Sequence, residues 1–374
     1  MRILILNWRD ITHPQSGGAE NFVHELGKRL AANHEVTLFC ARYPHSLKED
    51  VIDGIHIQRM GNRFSVYLRA ALAFRKNRYD LVIDDINGVP FFSTLYADAE
   101  VIPVIHHIMD KEIFQRELSS FLGWFGYTLQ TLIPKIYHRQ RFVVVSESTK
   151  QDVADRFKIP ASRLAVVHCG VAVNSLNLLP KSEVPTISYV GRIKPYKRID
   201  DILRAFSMIL KRLPDAKLII AGRGDAEDLI SLVKELGIVS NVEFRGEVSE
   251  EEKAQILSSS WISMIASVKE GWGIGPMEAN ACGTPVVGYD VPGIHDSMRN
   301  GHTAILVEDG CVNRLSEAAL ELLLHSSERL RMSREACEWA AKFTWDNTAK
   351  DFLAVLSSDA CPCNVKGNDA PLRI

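Results

Sequence analysis

The chain has no Cys-x-x-Cys pair, no GxGxxG, no GxxxxGKS or GxxxxGKT run and no Asp-x-Asp at a strand end. Seven scattered cysteines without a paired motif fit a reducing compartment and unpaired thiols. Cys361 and Cys363 form a CPC in a polar tail that lacks the partner cluster a metal site needs. The missing glycine fingerprints remove the dinucleotide and P-loop sites, and with them an NAD-dependent dehydrogenase. Asp84-Asp85 is a contiguous pair whose side chains point to opposite faces in a strand, which disfavours a divalent cation there. Net charge is only −2, so there is no electrostatic case for nucleic acid. Leu118–Ile133 carries no charge, yet it is short for a bilayer and rich in Ser, Thr and Gln.

What is present is an ordinary globular composition, 46% hydrophobic and 24% charged over 374 residues, enough for two domains with full cores. MRILILNWRD reads as a buried strand and not a signal peptide. Strand Arg2–Asn7, a turn-rich loop with Gly17 and Gly18, helix from Glu20 to about Asn33 and strand Glu35–Cys40 begin a parallel α/β layout. Further strands are expected at Leu81–Ile83, Val101–Ile105 and Phe142–Ser146. Asn174–Pro185 interrupts the pattern as a linker. Alternation then restarts, with strands at Thr186–Gly191, Lys217–Ala221 and Val242–Phe244 and helices at Ile199–Leu213 and Glu227–Leu236. Helical patterns at Ser316–Leu324, Ser327–Phe343 and Asp346–Ser357 precede a loose tail.

Ligands of open α/β sheets bind beyond the carboxyl ends of strands, so the chemistry is sought there. Ser16–Glu20, SGGAE, offers backbone N–H groups to an anion at a helix N-terminus, or is a plain tight turn. GRIKPYKR sets Arg192, Lys194, Lys197 and Arg198 in a loop that opens onto a helix; it suits a diphosphate, or is a solvated basic loop. Ala221–Asp225, with Gly222, is a candidate wall of a nucleobase slot. His106 and His107 follow an apolar strand, placed to handle a hydroxyl or to form a structural pair. Glu270 and Glu278 frame EGWGIGPME. Pro276 fits the first helical position, which puts Glu278 in the first turn near unpaired backbone donors and leaves Glu270 in the loop ahead, facing a ligand. A helix-start glutamate and a solvated loop glutamate fit the same spacing.

SGGAE, the histidine after a strand, YVGRIKPYKR, AGRGD, EGWGIGPMEANACGTPVVG and a Trp-bearing late helix together resemble glycosyltransferase family 4, over about Met1 to Ser357. The resemblance implies an α/β GT-B fold: two Rossmann-like domains facing a central cleft, with the C-terminal helix crossing back to the first. It implies an acceptor-binding domain at 1–175, a nucleotide-sugar domain at 176–345, the crossover helix at 346–357 and a flexible tail at 358–374. By the same resemblance Arg192 and Lys197 bind the donor diphosphate, with Gly17 and Gly18 opposite, and Glu278 binds the ribose. Glu270 holds donor-sugar hydroxyls, with the backbone of Gly271, Trp272, Gly273 and Ile274 alongside. His106 matches the histidine that lines the reacting sugar, with His107 as its alternative. Where relatives carry an NGVD-like turn, this chain has His168-Cys169-Gly170-Val171-Ala172, which weakens any site role there.

The reaction so implied is a retaining transfer of a sugar from a nucleoside-diphosphate sugar, UDP or GDP, to a hydroxyl of a glycan, glycolipid or lipid-linked acceptor. It is expected to need no metal and no cofactor. Ile113–Arg141, with Phe114, Phe121, Trp124, Phe125, Tyr127 and Tyr137 and with Lys135, Arg139 and Arg141 at its far end, is a candidate contact with a membrane surface, or a pair of core helices. The expected location is the cytoplasm, with that stretch as a peripheral contact on the membrane's cytoplasmic face. A sugar-nucleotide epimerase of similar fold and a silent GT-B binding protein are the competing readings; retention of Arg192, Lys197, Glu270 and Glu278 counts against the second.

Overall fold

The computed structural model describes residues 1–74, 78–108, 120–172 and 180–357, without the side chains at 120–122. Phe114, Cys361, Cys363, the tail and the first part of the expected linker therefore lie outside the described residues, as does the side chain of Phe121.

The first sheet contains β1 (Arg2–Leu6), β2 (Glu35–Cys40), β3 (Glu49–Ile52), β4 (Ile55–Arg59), β5 (Leu81–Ile86), β6 (Glu100–Ile105), β7 (Phe142–Val144) and β8 (Leu164–Val166), in the order β3-β4-β2-β1-β5-β6-β7-β8. Its inner strands are apolar on both faces, as a covered parallel sheet requires. Ile3, Ile5, Ile83 and Val104 serve one core, while Leu4, Leu6, Val82 and Ile105 serve the other. Helices α1 (Gly18–Ala31), α2 (Val66–Phe74), α3 (Ser120–Gln130), α4 (Ile133–Ile136) and α5 (Glu147–Phe157) belong to this unit.

The antiparallel pair β3–β4 is not foreseen in the sequence reading above. Its signal is Asp53-Gly54, at φ 51° and 81°, between Ile52 and its partner Ile55. Two positive-φ residues flanked by alternating apolar positions make a type I′ hairpin.

The second sheet, β11-β10-β9-β12-β13-β14, contains β9 (Thr186–Val190), β10 (Lys217–Ala221), β11 (Val242–Gly246), β12 (Ile262–Ile265), β13 (Val286–Tyr289) and β14 (Ala304–Val307), all parallel. The last three are four-residue apolar runs, too short for periodicity to separate strand from buried helix. Between and after these strands come α6 (Ile199–Ile209), α7 (Glu227–Glu235), α8 (Glu250–Ser259), α9 (Ile274–Ala281), α10 (Ile294–Ser297), α11 (Val312–Leu324) and α12 (Ser326–Ala340).

The final helix, α13 (Trp345–Ser357), returns to the first domain. Trp345 packs its ring on Phe22 of α1, Asp346 meets Arg29 Nε at 2.5 Å, and the Thr348 hydroxyl donates to His168 O at 2.9 Å. A second tie lies beside it, where Val171 N donates to Phe343 O at 2.8 Å. The interdomain crossing is thus two adjacent chain segments.

In each sheet the strand order reverses at one strand. β1 has β2 and β5 as neighbours, and β9 has β10 and β12. The crevice beyond such a switch point is where open α/β sheets hold ligands. The loops that follow β1 and β9 carry Gly17-Gly18 and Arg192.

Candidate functional site

Those two loops face each other across one cleft, whose walls come from both domains. After β1 the chain loops to Gly17, the N-cap of α1, whose N–H is accepted by Glu20 Oε2 at 2.7 Å. Glu20 is buried and also accepts from Arg9 Nε at 2.8 Å and from Asn87 Nδ2 at 3.0 Å. It is a brace for the loop and takes the Gly17 N–H, so the Gly18 N–H at the start of α1 is what SGGAE offers a ligand. A Cβ on Gly17 would come within 2.9 Å of Arg192 Cζ, so the approach of the two domains needs a residue without a side chain.

From the second domain, Arg192 donates to the Tyr196 hydroxyl at 3.2 Å. A short 3-10 turn, Pro195–Lys197, then brings the Lys197 ammonium onto Glu270 Oε1. Burial works against the Lys197 charge, but Glu270 more than restores it, and the pKa stands above its ordinary value. Arg198 turns to Asp309 at 2.6 Å. Gly222 packs on the Gly191 carbonyl and is not among the cleft-lining residues; Gly224, two positions on, is.

The two-glutamate motif departs from expectation in one respect. Gly273, at φ 88°, caps α9, so the helix starts at Ile274 and Pro276 takes its third position. A proline is tolerated there because none of the first four N–H groups has a helical partner. Glu278 consequently falls in the second turn, beyond the unpaired donors assigned to it from sequence. Its partner is Lys253 Nζ of α8, at 2.7 Å, which also holds Glu250 at 2.7 Å. Burial pushes the Glu278 carboxyl above its ordinary pKa, and Lys253 opposes that shift. Glu270 lies in the loop, its N–H donating to Pro292 O at 3.0 Å.

Gly271 runs so close to the first domain that a Cβ would lie 2.6 Å from His106 O. The Trp272 side chain is buried and stacks on His168 at 4.2 Å and near Phe343 at 5.2 Å, which ties the donor loop to the interdomain crossing. Trp272 lines the cleft, as its place in the loop predicts, while its indole joins the crossing.

His106 is buried, with Nε2 at 2.7 Å from Asp85 Oδ1 and its ring edge-on to Phe22. The carboxylate accepts from Nε2 and fixes the ring. Asp85 pays for its burial with a raised pKa, which His106 partly counters. Asp84 points the other way, to Ser93 Oγ at 2.6 Å and the Tyr137 hydroxyl at 2.5 Å. His107 is half-buried and also lines the cleft; burial, then His106 and Lys269, drive its pKa down to about 4 against the pull of Glu270. Both histidines thus line the cavity, one anchored and one held neutral.

Sequence reading missed Lys253, Asp152 and Lys269. Lys269 Nζ meets Asp152 Oδ2 at 2.5 Å across the domains, 117 residues away in sequence. Such pairs leave no local signal, because both partners read as ordinary helix or loop charges.

Two parallel-sheet domains joined by a double crossing, with both switch-point loops opening on one cleft, define a GT-B protein. A model of glycosyltransferase family 4 matches residues 16–175, and one of glycosyl transferases group 1 matches residues 176–339. The chain belongs to glycosyltransferase family 4. It is 33% identical over 235 residues to D-inositol 3-phosphate glycosyltransferase of Mycobacterium marinum, a match to 57% of this chain and 49% of the relative. It therefore spans about half the length of the curated relatives it matches. Sucrose-phosphate synthase from Thermosynechococcus elongatus superposes with a TM-score of 0.78 at 18% identity, over 95% of this chain and 98% of that one. HepE of Anabaena in complex with UDP-glucose gives 0.76 at 16%, over 96% and 99%. At these identities the shared property is the fold.

Proposed function

We propose that the protein transfers a sugar, with retention, from a nucleoside-diphosphate sugar to an acceptor hydroxyl. The observation that carries this reading is the meeting of Arg192 with Gly17: a cationic strand-end loop and a glycine-capped helix N-terminus face one cleft. A diphosphate set there meets a guanidinium, an ammonium and oriented N–H groups. Departure of the diphosphate builds negative charge, which Arg192 and Lys197 stabilise as fixed cations, without a metal ion. Glu270, held by Lys197, orients the donor-sugar hydroxyls, and Glu278 takes the ribose. A departing phosphate oxygen takes the acceptor proton, and His106, held by Asp85, lines the reacting carbon.

UDP or GDP is the donor nucleotide in this reading; HepE, a relative in fold, was solved with UDP-glucose. The acceptor is a hydroxyl of a glycan, glycolipid or lipid-linked molecule, reached from the first domain. Among the described residues no helix is long and apolar enough to cross a membrane. Trp124 and Phe125 on α3 are about half exposed, at 51% and 49%, and suit a peripheral contact with an anionic membrane surface. Co-sedimentation with anionic vesicles tests that contact, and absence of binding removes it.

A thermal-shift panel of nucleoside diphosphates and their sugars, followed by donor hydrolysis with the best binder, tests the main proposal. Stabilisation by one nucleoside diphosphate together with release of that nucleotide from its sugar is expected. No stabilisation by any of them overturns it.

A further inference from the structure

We propose that Trp8, Tyr67 and Phe92, on the first-domain wall of the cleft, form a subsite for the face of a neutral sugar ring, so that the acceptor is a glycoside. This rests on the transfer reaction proposed above and specifies its second substrate.

Phe92 is an aromatic residue at φ 56°, in the left-handed region. An L side chain there is strained by roughly 1 kcal/mol or more. The strain is imposed from beneath by Asp84, which is fully buried and accepts from Phe91 N and Ser93 N, each at 3.2 Å. Ser93 Oγ at 2.6 Å and the Tyr137 hydroxyl at 2.5 Å hold the same carboxylate. Glycine or asparagine would occupy this backbone at less cost; the phenyl ring packs one face on the first-domain core and leaves the rest of its surface to the cleft. The ring is half-buried and lines the cleft.

Tyr67 lines the same wall, its ring fixed on Phe91 at 4.7 Å between centroids. Its hydroxyl makes no hydrogen bond among the described residues. The hydroxyl is open to the cleft, where a sugar hydroxyl can take the place of water. Trp8 also lines this wall, with the Arg9 guanidinium 4.1 Å from its ring. The Arg9 charge is already engaged by Glu20 at 2.8 Å and the Gln15 carbonyl at 2.6 Å. Aromatic faces with neutral polar tips suit the C–H face of a pyranose; Arg63, exposed at the cleft with its guanidinium 4.6 Å from the Phe64 ring, is the cation an anionic sugar would meet instead, and the probes below separate the two.

The probes are methyl and p-nitrophenyl glycosides of common hexoses, with glucose 6-phosphate and inositol 1-phosphate as anionic counterparts. Binding is read by saturation-transfer NMR with and without UDP, and transfer is read with whichever donor the protein hydrolyses. Neutral glycosides are expected to bind, and F92G and W8A to weaken them at least tenfold. F92G relieves the strain but also removes the ring's packing on the first-domain core, so its folding is checked by Tm before binding is read. Y67F, which keeps the ring on Phe91, should weaken binding several-fold and serves if the other variants fold poorly. Binding of the sugar phosphates alone, or glycoside binding unchanged in all three variants, overturns the subsite. Failure of every nucleoside diphosphate to bind overturns the transfer reaction instead, and the NMR readout still decides whether the aromatic wall takes a sugar.

Discussion

Asp152 of α5 and Lys269, the residue before Glu270, stand 2.5 Å apart across the two domains, each only 18% exposed. Nearby, Ser148 N at the start of α5 donates to Asp296 Oδ1 of the second domain at 3.1 Å. The closed arrangement is therefore fastened directly beside the residue proposed to hold the donor sugar. Closure of this kind sequesters a reaction from water and completes the site.

Breaking that pair should separate closure from donor binding. D152N or K269M is expected to lower turnover about five- to tenfold and to leave nucleoside-diphosphate affinity within twofold, since neither residue is among those assigned to the diphosphate. The swapped variant D152K/K269D should recover most of the loss. Small-angle scattering supplies a readout that needs no activity: single variants should show a larger radius of gyration, the swap a restored one. Single variants as compact and as active as the parent would end this role for the pair.

Arg192 is the cation that Gly17 makes room for. Loss of one preorganised charge at a developing anion commonly costs roughly 100- to 1,000-fold in turnover. R192A is expected to fall in that range in a donor-hydrolysis or transfer assay. Lysine at 192 keeps the charge and loses the planar fork, so R192K should recover only part of the rate. Full activity in R192A would remove the diphosphate assignment.

His107 gives a pH dependence of stability with a definite sign. Its ordinary pKa is 6.5 and the folded protein lowers it to about 4. Between these values the unfolded chain binds a proton that the folded one excludes, so stability is full above pH 6.5 and is lost as pH falls towards 4. The loss from this group is about 3 kcal/mol at most. Melting curves from pH 8 downwards should show a steeper fall in Tm for the parent than for H107Q; parallel curves would mean that His107 takes up its proton without cost.

Much of this site is written in local pattern. The SGGAE turn, the basic loop after Val190 and the spacing of Glu270 from Glu278 each stand at a strand end, and the strands around them are periodic enough to place. What pattern does not carry is pairing at long range. Glu278 looks like a first-turn residue only if Pro276 opens the helix; Gly273 opens it earlier, and the carboxylate then depends on Lys253 from another helix. Trp272 reads as part of a ligand loop, yet its ring is taken by His168 and Phe343 from the crossing segments. His106 and His107 are adjacent in sequence, and only Asp85, on the neighbouring strand, distinguishes them. The hairpin at Asp53-Gly54, by contrast, carries its signal in two adjacent turn residues, though the parallel α/β pattern drew the reading past it.

Lys253 is the strongest case of a role visible only in three dimensions. Glu278 is burdened by burial, and Lys253 is the opposite charge that keeps its carboxylate ionised, with Glu250 on the lysine's other side. Removing the ammonium leaves a buried carboxyl whose pKa climbs further. K253M should therefore weaken nucleoside-diphosphate binding about tenfold at low pH and less at high pH, the direction in which the carboxylate regains its charge. E278Q, with no proton to lose, should weaken binding equally at both ends of the range. Calorimetric titration of both variants across that range measures the difference. A K253M defect that does not change with pH would mean that Lys253 contacts the nucleotide itself, or only supports α9, and does not set the charge of Glu278.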